Sequence, residues 1–112
     1  MLPTVSFCGL TVTRLIIGGN PFGGFSHQNR TRSDEMRTYY TIERILETWQ
    51  RAHDAGINTM ITNNESANVM KAVRKYRAAG GPLQWIAQVN NRLNPDMQAA
   101  IDEVVDLGCK AL

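Results

Sequence analysis

Carboxamide side chains gather where three apolar runs of this chain end: Asn20 after the first, Asn63 and Asn64 after the second, Gln88, Asn90 and Asn91 after the third. Each offers both donors and an acceptor, so a cluster of them suits hydrogen bonding to a polyhydroxylated or amide-rich small molecule. Asn is also a favoured turn residue, which accounts for any one of them without a ligand. On the ligand reading, Asn20, Asn63, Gln88 and Asn90 are the substrate-binding candidates. Two titratable residues share these segments. His27 is a candidate general base or metal ligand near neutral pH, or a plain surface histidine. Glu65 is a candidate general acid/base, or a carboxylate that complements a helix start. Arg30, Arg32 and Arg37 could grip a phosphate or carboxylate, or form a solvated lid with Asp34 and Glu35 between them. His53 suits the negative end of a helix.

Several chemistries are excluded by spacing. Gly18-Gly19-Asn20-Pro21-Phe22-Gly23-Gly24 carries Asn20 where a dinucleotide-binding loop needs its second glycine, and no Gly-Lys-Ser/Thr follows. Cys8 and Cys109 stand far apart, so neither a zinc site nor a Cys-x-x-Cys redox pair is expected, and no metal is assigned. The cofactor is unassigned on the residues alone. Asn29-Arg30-Thr31 and Asn64-Glu65-Ser66 match the glycosylation sequon but lack a secretory signal to give it meaning.

The elements that must position these residues follow from periodicity. Residues 12–17 form a β-branched apolar run closed by Gly18-Gly19, the pattern of a strand buried on both faces. A polar, glycine-rich loop of about twenty residues follows, longer than the usual βα loop and of the length that functional or mobile loops have. Ile42, Ile45, Leu46, Trp49 and Ala52 then mark one face of a helix over residues 41–55, capped by Thr41 and stopped by Gly56. The unit repeats. Residues 57–62 read as a second strand, Ser66 caps a helix with stripe Val69, Met70, Val73 and Tyr76, and Gly80-Gly81-Pro82 ends it. Residues 83–89 read as a third strand. Asn94-Pro95-Asp96 starts a helix faced by Met97, Ala100, Ile101, Val104 and Val105, Gly108 stops it, and residues 109–112 begin a fourth strand. Alternation of this kind predicts an α/β fold with a parallel sheet. Trp49, Trp85 and Tyr76 fall on apolar stripes and belong to the core.

Composition sets the frame around these elements. The chain has 112 residues, 43% hydrophobic and 20% charged, with a net charge of +2, and reads as a single globular domain. Its twelve Lys+Arg are scattered instead of forming a basic block, so no nucleic-acid partner is expected. No apolar run reaches the roughly 20 residues of a membrane span, and a cytoplasmic protein with no membrane partner is the reading.

The run Phe7-Cys8-Gly9-Leu10-Thr11-Val12-Thr13-Arg14-Leu15-Ile16-Ile17-Gly18-Gly19 resembles the opening of bacterial aldo/keto reductases, and Ala52-His53-Asp54-Ala55-Gly56-Ile57-Asn58-Thr59 resembles their junction into strand two. The resemblance implies an N-terminal hairpin over residues 1–11, then the parallel βα repeats of a TIM barrel over 12–112. About three units and the start of strand four would be present, somewhat under half of a barrel. It implies an NADP-dependent reductase only where the catalytic residues match. Carried over, the family's Asp falls on Ile61, its Tyr near Ser66 and its Lys on Gln88 or Val89, and none matches. Its His and NADP loops would lie beyond Leu112. The expectation is thus a reductase-like barrel portion without the catalytic set, an enzyme acting on a polar small molecule at the loops after its strands. Two alternatives stay open: an NADP-dependent reductase, and a non-catalytic module that associates with itself or with a missing C-terminal half.

Overall fold

The computed structural model describes residues 1–112. Two strands open it, β1 (Thr4–Phe7) and β2 (Leu10–Thr13), paired antiparallel with Val5 opposite Val12 and Phe7 opposite Leu10. Their two-residue turn places Cys8 at φ 50 and Gly9 at φ 75. Two positive φ values give the turn the twist a hairpin needs, at ease for Gly9 and under strain for Cys8. There follow helices α1 (Asn20–Gly23), α2 (Arg30–Tyr39) and α3 (Ile42–Asp54), strand β3 (Thr59–Asn63), helix α4 (Ala67–Ala78), strand β4 (Gln84–Gln88) and helix α5 (Met97–Asp106).

The barrel expectation is overturned. The molecule holds two separate two-stranded sheets, β1-β2 antiparallel and β3-β4 parallel, and no run of parallel βα repeats. Residues 12–17 do not act as one strand, because Val12 and Thr13 are committed to β1. Past them Arg14 and Leu15 turn out to solvent, and only Ile17 reaches β3, in a single bridge to Met60. On the other side Ala111 alone bridges Ile86, so residues 109–112 form no fourth strand.

The long polar loop is likewise mostly helical. Asn29 caps α2 by accepting the Arg32 N–H at 2.8 Å, and the ion pairs Arg32–Glu35 and Arg37–Asp34 brace its turns. With no buried residue on α2, apolar periodicity had nothing to register. The start of α5 differs too: Asp96 is its cap, accepting from the N–H groups of Gln98 and Ala99, while Asn94 only turns the chain toward it.

The main core lies between the parallel sheet and helices α3 and α4. Ile45, Trp49, Val73, Leu83, Trp85 and Met60 are fully buried there, and each such side chain stabilises the fold by roughly 1.5–3 kcal/mol. Aromatic rings interlock edge to face, Phe22 with Tyr40 at 4.8 Å between centroids and Trp49 with Tyr76 at 5.1 Å. The Trp85 indole donates to Thr62 Oγ1 at 2.9 Å, so β4 brings a satisfied polar group into the core. The other face of the sheet, carrying Ile61 opposite Ile86, is only partly covered. No helix is long and apolar enough to cross a membrane.

The starting edge of the parallel strands is tied together by Asn58. Its Oδ1 accepts from the Thr13 N–H at 2.9 Å and from Thr59 Oγ1 at 2.7 Å, and its Nδ2 donates to the Thr11 carbonyl at 3.0 Å. The hairpin is thereby fastened to the sheet. Gln84 adds a bond to the same Thr11 carbonyl at 2.9 Å. Nearby, the Tyr76 hydroxyl accepts the Leu83 N–H at 3.1 Å, and Arg77 donates to the Leu83 carbonyl at 2.8 Å. Burial pushes the Tyr76 phenol above its ordinary 10.0, an effect reduced by the Leu83 hydrogen bond and by the Arg77 charge. Burial also raises the Cys109 thiol and lowers Arg77.

Candidate functional site

At the opposite edge, where β3 and β4 end, the chain forms an open cleft of about 510 Å³. It is lined by Asn20, His27, Asn63, Glu65, Gln88 and Asn90, together with Phe25, Val89 and Arg92. Every candidate read from the sequence as substrate-binding or catalytic therefore faces one space. They reach it from three segments: the stretch around α1, the β3–α4 turn and the chain leaving β4. Parallel pairing explains the convergence, because Asn63 stands opposite Gln88 in the last register position of the sheet.

Each side chain is positioned by local chemistry. Asn63 Oδ1 accepts the Glu65 N–H at 2.9 Å, a short turn that ends β3 and lifts Glu65 ahead of Ser66, the cap of α4. Glu65 is thus not in the first helical turn. Its Oε1 accepts from Asn90 Nδ2 at 2.8 Å and pairs with Arg92 Nε at 3.1 Å. Beneath them the buried Asn64 clamps the other side of the turn, donating to the Asn90 carbonyl and accepting the Asn90 N–H, both at 2.8 Å. Across the cleft, Asn20 Nδ2 lies 3.2 Å from His27 Nε2. His27 has φ 56, a left-handed conformation uncommon for a residue other than glycine, though histidine enters it more readily than most.

A second cavity of about 690 Å³ adjoins the cleft and shares Asn20 and Gln88 with it. Its other walls are mainly apolar, among them Ile16, Ile17, Phe22 and Ile61. Arg30, Arg32 and Arg37 stay on α2 outside the cleft, Arg37 holding the Gly24 carbonyl at 3.4 Å. His53 sits in the last turn of α3. At the positions matched to the reductase residues, Ile61 lies on the open sheet face, Ser66 caps α4, and Gln88 and Val89 line the cleft. None of these offers a phenol or an ammonium group. No group of three or more His, Cys, Asp or Glu side chains converges anywhere in the molecule.

Phe25 and Arg92 also line the cleft; the sequence places Arg92 in the loop after the third strand with Gln88 and Asn90 but gives it no role, and it gives Phe25 none. For Arg92 a signal exists, two residues past Asn90 and next to a strand end. Phe25, inside a glycine-rich stretch, has none. No protein-family model matches the chain, and no curated protein and no solved structure matches it either.

Proposed function

We propose that this protein binds a polar small molecule, hydroxyl- or amide-bearing, in the cleft at the ends of β3 and β4. The observation that carries the reading is the convergence of Asn20, Asn63, Gln88 and Asn90 with His27 and Glu65 on one space from three chain segments. Gln88 makes no side-chain hydrogen bond within the chain and is exposed, so its donors and acceptor are free for a guest. Glu65, oriented by Asn90 and Arg92, is the group placed to exchange a proton with a bound hydroxyl or amine. The two free thiols suit a reducing compartment such as the cytoplasm. Titrating isotope-labelled protein with N-acetylglucosamine, L-glutamine and glucose should shift the amide signals around Asn63, Gln88 and Asn90. Spectra unchanged by all three ligands would refute the reading.

A second reading is self-association through the uncovered sheet face. Val5 and Phe7 are exposed beside Ile61 and Ile86, around an apolar hollow of about 300 Å³ that all four line together with Ile16. Sedimentation over a concentration series should then show dimer, and a monomer at every concentration rules it out.

A further inference from the structure

The geometry of Glu65 and Arg92 narrows the ligand, on the premise that the cleft is a polar small-molecule site. Arg92 meets Glu65 through Nε, at 3.1 Å from Oε1, and its backbone N–H is fixed on Asn90 Oδ1 at 3.0 Å. Neither terminal nitrogen of Arg92 bonds within the chain. The other arginines that bond do so through terminal nitrogens: Arg32, Arg37, Arg51 and Arg74 to carboxylates, Arg44 and Arg77 to carbonyls. An arginine oriented by Nε alone turns its planar fork outward, the arrangement that grips a carboxylate with two parallel bonds. Its side chain is 71% exposed, so no protein group competes for that fork. Glu65 is its complement. Only 16% exposed, it has Oε1 engaged by Asn90 and Arg92 while Oε2 carries no bond from the chain. A carboxylate oxygen left open in a cleft is an ammonium acceptor.

Charge decides between ligand classes. Glu65 and Arg92 cancel, so a purely anionic guest is repelled by the first and a purely cationic guest by the second. A guest with ammonium and carboxylate on one carbon presents both charges side by side, as the protein pair does. The remaining polar lining, Asn63 and Gln88 above all, is uncharged and suits an amide side chain. We infer that the cleft takes a zwitterionic α-amino acid with a carboxamide side chain, its carboxylate on the terminal nitrogens of Arg92 and its ammonium on Glu65 Oε2.

The test compares L-glutamine with glutaramate, which lacks the ammonium, and γ-aminobutyramide, which lacks the carboxylate, by calorimetry on the full chain. L-Glutamine should bind at least about tenfold tighter than either, the scale of one charge-assisted contact. Arg92→Gln should erase its advantage over γ-aminobutyramide and keep its advantage over glutaramate. Glu65→Gln, which still accepts from Asn90, should do the reverse. Circular dichroism checks that both variants fold. Equal weakening of all three ligands by either variant overturns the inference, as does glutamine binding no tighter than its analogues. Binding of N-acetylglucosamine at the cleft without L-glutamine overturns it while leaving the polar-ligand reading intact; silence from every probe removes both.

Discussion

The two edges of the parallel sheet use the same residue types to opposite ends. Where the strands begin, Asn58 spends its acceptor on Thr13 and Thr59 and its amide on Thr11, and Gln84 bonds Thr11 and Thr59. Where they end, Gln88 makes no bond with its side chain, and Asn63 uses only its oxygen, on the Glu65 N–H. A carboxamide whose valences are filled by backbone is a rivet. One with open valences in a concave surface is an invitation to a ligand. Asn64 warns against sorting by location alone, since it lies at the cleft edge and is as fully engaged as Asn58.

This contrast can be broken by substitution. The largest loss of stability is expected from Asn58→Ala, about 3 kcal/mol in urea denaturation, because the buried Thr13 N–H and the Thr59 hydroxyl lose their acceptor while the Thr11 carbonyl keeps only Gln84. Amide signals at Gln88 and Asn90 should stay in place. Asn64→Ala comes next at about 2 kcal/mol, and unlike Asn58→Ala it should also disturb Asn90 and weaken ligand binding. A third effect is alkaline weakening of the strand-start edge through Tyr76. Its folded value lies above the ordinary 10.0, so in the window between the two the unfolded chain releases the proton while the folded chain keeps it. Stability held below 10.0 should therefore fall as pH rises through that window, by at most about 1.4 kcal/mol per pH unit, and Tyr76→Phe should lack this component. Smallest of all, Gln88→Ala should change stability by no more than about 0.5 kcal/mol while weakening ligand binding. If its stability cost matched that of Asn58→Ala, the distinction between the edges would collapse.

Much of the cleft edge was legible because the β3-α4-β4 unit fixes which residues leave a strand at its end. Asn63 and Gln88 were identifiable from that alone, and the structure sets them opposite each other. Thr41 and Ser66 likewise cap the helices their types announce, accepting from Arg44 and Val69. What escaped was pairing. An apolar run over residues 12–17 reads as one buried strand, yet antiparallel partnership of Val12 with Val5 is a long-range choice that the run itself does not encode. Helix α2 escaped for another reason: its stability comes from a cap and ion pairs between neighbouring turns, which leave no apolar stripe. The role of Asn58 was hidden because three of its contacts lie 45 or more residues away, on Thr13 and Thr11.

That α2 buries nothing has a consequence for experiment. Few side chains fasten it, Ser26–Ser33 and Arg37–Gly24 to the stretch before it and Arg44 on Tyr39 to α3 after it, all outside the buried core, so it can open without disturbing that core. Its amides should exchange with deuterium well ahead of those in α3 and α4. Limited proteolysis should cut first within Arg30–Tyr39, and the same stretch is where a fluorophore or an affinity tag can be inserted at least expense to the rest of the molecule.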